Sequence, residues 1–132
     1  MPSRHAALAL TAVAALGLST GCEKQSPFIT LTAHGVSVKA RATKYCRGTE
    51  CDTTTDSATL TVHIGDTLGI DVPRSVAEDG WRIGDQGDFS HTHYRAIEIT
   101  SQFQPGAEIP VDIVRDETAG GAGQWHFSIV VK

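Results

Sequence analysis

The sequence predicts an all-β fold, an antiparallel immunoglobulin-like β-sandwich of about eight short strands. Three observations carry this expectation. From Phe28 onward, apolar and polar residues alternate with period two over most of the chain, as they do in strands with one buried face. The runs are short, evenly spaced and separated by Gly, Pro, Asp and Ser, which is the punctuation of a sandwich. No stretch of this region has the 3.6-residue periodicity of a long amphipathic helix.

Each element follows in order. FITLTA, residues 28–33, and VSVKARATKY, residues 36–45, flank His34-Gly35 and read as a hairpin. Val36, Val38, Ala40 and Ala42 are expected in the core, with Ser37, Lys39 and Arg41 in water. RGTECDTTTDS reads as a polar loop. Leu60, Val62 and Ile64, then Gly65-Asp66, then Leu68, Ile70 and Val72 predict a second hairpin, which Pro73 ends because it has no amide proton to donate. PRSVAEDG suits a helical turn, WRI a short strand and GDQGDFS a loop. In HTHYRAIEIT the two halves favour opposite faces, which predicts a bulge or twist. IPVDIVRD and QWHFSIVVK, joined by ETAGGAG, are the last two strands, and Trp81 and Trp125 are expected to fill the core.

Ahead of this domain stands a different kind of sequence. MPSRH supplies one positive side chain, Arg4, and leads into 13 consecutive apolar or small residues, Ala6 to Leu18. That is short of the roughly 20 residues that span a bilayer and fits the apolar region of a secretory signal. Ser19-Thr20-Gly21 directly before Cys22 resembles the lipobox of bacterial lipoproteins, with Ser19 where leucine is usual and Leu18 one place earlier. In such proteins the cysteine thiol receives lipid, acyl chains such as palmitate, and becomes the first residue. The expected organisation is a lipoprotein signal peptide at 1–21, a lipidated tether at 22–27 and a β-sandwich domain at 28–132.

Two or more acyl chains anchor stably where one holds marginally, so the expected partner is the membrane, through the lipid on Cys22. EKQSP separates Cys22 from Phe28 and reaches about 17 Å at full extension, which keeps the domain close to the extracytoplasmic face of the cell membrane. Loss of the leader takes the formal charge from −4 to −5. A mildly acidic domain without a basic run is unsuited to nucleic acid and to docking on anionic headgroups by charge alone.

Cys46 and Cys51 remain, in YCRGTECD. Export to an oxidising compartment makes a small disulfide loop the first reading, with free thiols or a soft-metal pair as alternatives. Closing so short a loop stabilises by about 2 kcal/mol. The spacing is not C-x-x-C, so the bridge is expected to be structural.

His91 and His93 are two apart on an expected strand, hence on one face, where they could ligate zinc or copper with Asp88, His126, His63 or His34 as a third ligand. A blue-copper site is disfavoured, since Met1 is the only methionine and no cysteine adjoins a histidine. Glu78, Asp79, Asp85 and Asp88 gather near a glycine-rich turn but lack the spacing of a calcium loop. ETAGGAGQ lacks the lysine and hydroxyl of a phosphate loop, and no G-x-S-x-G is present. No catalytic residue, resident metal or cofactor is assigned.

The lipobox, the VSV hairpin, the cysteine pair, VPRSVAEDGW, YRAIEI and the ending VDIVRDETAGGAGQWHFSIVVK together resemble a group of uncharacterised actinobacterial lipoproteins, classed as a domain of unknown function. The resemblance implies a cell-surface lipoprotein with no assigned activity. The functional expectation is a lipid-anchored, non-catalytic binding or scaffolding module of the bacterial envelope with an unidentified protein partner. The alternative is a metal-binding envelope protein using His91 and His93.

Overall fold

A computed structural model describes residues 26–87, 89, 91–116 and 121–132. Residues 1–25, Cys22 among them, and Asp88 lie outside the described residues, and with them the expected leader and tether. The strands are β1 (Phe28–Ala33), β2 (Val36–Arg41), β3 (Lys44–Arg47), β4 (Glu50–Thr53), β5 (Ala58–Val62), β6 (Thr67–Asp71), β7 (Trp81–Ile83), β8 (Tyr94–Glu98), β9 (Glu108–Arg115) and β10 (Gly123–Val131), with one helix, α1 (Arg74–Asp79), between β6 and β7.

They form a two-sheet sandwich. One sheet has the order β2-β1-β6-β8 and the other β4-β3-β10-β9-β7, with β5 also on β10. β10 is the spine of the second sheet: β9 covers one edge, while β3 takes the other at Gly123-Gln124 and β5 takes it from Phe127 to Val131. Its alternation places Trp125, Phe127, Ile129 and Val131 in the core. Ile29 and Leu31 of β1 and Leu68 and Ile70 of β6 supply the facing layer. The first hairpin forms as the sequence implies, pairing in register from Phe28–Arg41 to Ala33–Val36. Its two-residue turn has φ 51° at His34 and 73° at Gly35, the left-handed pair that matches the twist of the flanking strands.

The strand directions define two poles. β1 and β10 both begin where the Trp125 indole N–H donates to the Pro27 carbonyl at 2.9 Å, so the chain preceding Ser26 joins the domain at this end. The opposite pole carries the His34–Gly35 turn, the link 63–66 and the end of β10.

Four expectations change. There are ten strands, because RGTECDTTTDS is not a loop: residues 44–47 and 50–53 pair as the hairpin β3–β4, with Cys46 opposite Cys51. The expected second hairpin is a crossover. β5 runs parallel to β10 in one sheet, and β6 pairs with β1 and β8 in the other. Period two cannot separate the cases, since a strand sends alternate side chains into the same core whichever sheet it joins. The link is tied sideways instead: Gly65 N–H donates to Ile99 O at 2.7 Å and Ile99 N–H to Asp66 O at 2.8 Å. Val36 and Ile64, expected in the core, are exposed because each sits at the distal end where its strand runs out. Finally, β8 starts only at Tyr94, and His91 has φ 61° in a turn before it, so His91 and His93 do not share a strand face.

The pole at Pro27 is densely fixed. Both tryptophans are buried core residues, as expected, and each indole N–H finds a carbonyl, Trp81 donating to Thr92 O at 2.8 Å. Arg115 is buried, donates to Asp79 Oδ2 at 2.7 Å and to Cys46 O at 3.1 Å, and lies over the Tyr45 ring. A buried cation needs such partners to offset its lost hydration. On one lateral side β2 lies against β5, and the Arg41 N–H donates to the Asp56 carboxylate at 2.8 Å. On the other, β8 and β7 are the last strands of their sheets, and the sandwich is open.

Candidate functional site

Among the described residues, the candidate ligands singled out from sequence are not gathered at one metal site, although the two cysteines and two of the histidines do meet. Cys46 and Cys51 form a disulfide between directly opposed residues of β3 and β4, a staple near the Pro27 pole. Glu78 pairs with Arg74 at 2.7 Å and Asp79 with Arg115, so two of the four acidic residues near the glycine-rich turn serve ion pairs. Asp85 is exposed. His126 bonds to Asp112, its cross-strand neighbour. His34 and His63 flank Asp66, each Nδ1 3.5 Å from a different carboxylate oxygen. Asp66 also accepts the His63 backbone N–H at 2.8 Å, closing the link between the sheets. Among the described residues, no group of three His, Cys, Asp or Glu is arranged to hold a metal ion.

A concave feature lies on the open side. Between β8 of one sheet and β9 of the other is a cleft of about 430 Å³, within the size range of small ligand sites. Its floor is Leu68, Ile99, Val111 and Ile129, all buried. Its walls are Ile83, Ile97, Phe103 and Ile109, which stay half-exposed. These four large apolar side chains, packed against the core and only partly in contact with water, line one concavity.

Polar groups at the cleft are few. Asp85 and Gln86 stand at the rim, and among the described residues neither Lys nor Arg lines it. The Asp112 carboxylate is engaged by His126, while its carbonyl accepts the Gly84 N–H at 2.7 Å. The arrangement can exclude water from an apolar group, and it presents no cation to a carboxylate or phosphate.

The cleft exists because strands stop. β7 has three residues and pairs with β9 only from Ile113 to Arg115, which leaves β9 from Glu108 to Val111 uncovered on that edge by any described strand. The loop after β8 then carries Phe103 over the gap. Sequence reasoning missed this site. The available signal was Phe103 alone in the polar run SQFQPG, an aromatic that period-two counting assigns to no strand.

The family described as "Protein of unknown function (DUF2771)" matches residues 22–123. The chain belongs to it. The DUF2771 segment contains β1 to β9 and, apart from Ile129, every residue of the cleft. No curated protein and no solved structure matches the chain.

Proposed function

We infer that this DUF2771 protein is a non-catalytic binding module, held by lipid on Cys22 at the extracytoplasmic face of the cell membrane of an actinobacterium, whose binding site is the cleft between β8 and β9. The observation that carries the binding reading is the half-exposed apolar quartet Ile83, Ile97, Phe103 and Ile109 around a cavity with a buried floor. The anchoring reading is supported by the lipobox-like sequence before Cys22 and by a family match that begins at that residue. Chain order agrees with both. The tether enters at the pole where β1 begins, and the cleft occupies the distal half of the open side, which faces the aqueous envelope.

Two measurements test the two parts separately. For anchoring, the full chain is expressed in an actinobacterial host with labelled palmitate. Wild type is expected to incorporate label and sediment with membranes, and Cys22→Ser to do neither. Label-free wild type, or Cys22→Ser still in the membrane fraction, contradicts the anchor. For the cleft, the neutral dye Nile red is titrated into the full mature chain. Saturable binding lost in Ile97→Asp is expected, and equal fluorescence from both proteins overturns the assignment.

A further inference from the structure

We propose that the natural occupant of the cleft is an extended polypeptide segment that adds to the free edge of β8 and places alternate apolar side chains between the sheets. This rests on the reading of the cleft as a binding site and names the class of ligand.

Hydrogen-bond parity along β8 supplies the argument. His93 O accepts the Val72 N–H at 2.9 Å, and Ile99 both donates to Asp66 O and accepts from Gly65 N–H. Residues 93 and 99 therefore direct their backbone groups toward β6 and its flanks. Alternation along an antiparallel strand gives 95 and 97 the same direction and turns the N–H and C=O of Tyr94, Ala96 and Glu98 the other way. Among the described residues β8 pairs with β6 alone, so three donor–acceptor pairs stand in a row on the outer edge of the strand that contributes Ile97 to the cleft lining. Side chains alternate as well. Ile97, between two of these positions, is turned into the cavity.

The facing edge is less suited. Asp112 O points outward to Gly84 N–H, so by the same parity Pro110 and Glu108 face outward on β9, and Pro110 has no amide proton to give. A proline there blunts the edge. β8 has no proline and offers a complete ladder.

An apolar small molecule would use the cavity and leave this ladder idle. A peptide uses both, with main-chain bonds supplying affinity and alternate side chains supplying selectivity. The edge is also guarded against indiscriminate pairing. It is five residues long, and Arg95, on the same face as Ile97, lies over the Phe89 ring at 5.0 Å, an inward charge of the kind that limits edge pairing. The absence of a lining cation favours uncharged side chains in the cleft.

The test is selection of phage-displayed random twelve-residue peptides on the full mature chain, followed by synthesis of the enriched peptides with backbone N-methyl groups at alternate positions. Peptides with apolar residues at every second position are expected. One N-methylation phase should weaken binding at least tenfold and the other should not, because only one set of amides faces β8. Ala96→Pro should weaken the same peptides at least tenfold while Nile red still binds. If Nile red binds but no peptide is enriched, or if enriched peptides tolerate N-methylation in both phases, the peptide proposal is wrong and the cleft survives as a small-molecule site. If Nile red fails to bind as well, the reading of the cleft has failed with it.

Discussion

The two lateral sides of the sandwich are built from the same kind of strand, yet they differ in what they leave exposed. On the β2–β5 side, Arg41 N–H meets the Asp56 carboxylate, Thr54 Oγ1 donates to Ala42 O at 2.9 Å, and the disulfide hairpin β3–β4 continues the sheet. On the β8–β9 side, backbone edges stop short and four large apolar side chains remain only partly buried. Burying the remainder of each would stabilise the fold by a fraction of the roughly 1.5–3 kcal/mol that a fully exposed side chain of this size gains. The first hairpin has exposed apolar residues of its own, Phe28 and Val36, whereas the β8–β9 side gathers its partly exposed ones around a cavity, where a ligand can cover them together.

Substitutions at matched positions sharpen that contrast. Trp125→Ala should cost the most, about 3–5 kcal/mol, since the ring is fully buried, packs edge-on to Tyr45 at 5.9 Å and bonds Pro27; urea unfolding reads the loss. Replacing both Cys46 and Cys51 with serine should cost about 2 kcal/mol, seen as a lower denaturation midpoint that reductant reproduces in the wild type. Gly35→Ala should cost about 1 kcal/mol, because φ 73° is strained for any residue with a Cβ. Ile97→Ala should be mildest, about 1 kcal/mol or less, since its side chain lies at the border of the core and is only partly buried. A cost for Ile97→Ala equal to that of Ile29→Ala, at a fully buried position, would break the distinction between the two sides.

Much of the sandwich was legible because burial alternates with residue type. In β10 every second residue from Trp125 to Val131 is both apolar and buried, and the His34-Gly35 turn announced its hairpin. Pairing partners were less legible. Leu60 and Leu68 are buried as alternation predicts, but nothing in their spacing says that β5 and β6 enter different sheets, because that choice is made by β10 and β1, far away in sequence. The β3–β4 hairpin was hidden for another reason. Glu50–Thr53 is exposed throughout, so it carries no burial signal, and its pairing follows from Gly48 at φ 61° and the cysteines on either side.

The candidate site was the least legible part. Histidines and acidic residues attract notice in a sequence, yet here they close turns and pair across strands: Asp66 fastens the link between the sheets, and His126 meets Asp112 on β9. The cleft instead depends on where strands end: among the described residues β8 has a neighbour on one edge only, and so has β9 from Glu108 to Val111. Such an ending is a property of two sheets together, and single-strand periodicity does not contain it.

Native-state hydrogen exchange of the full mature chain, with and without saturating Nile red, tests the division between the two sides most directly. Slowed exchange confined to residues 83–86 and 97–111, with β1, β2 and the β3–β4 hairpin unchanged, is the predicted result. Protection spread evenly over both sides, or none at all, would contradict it.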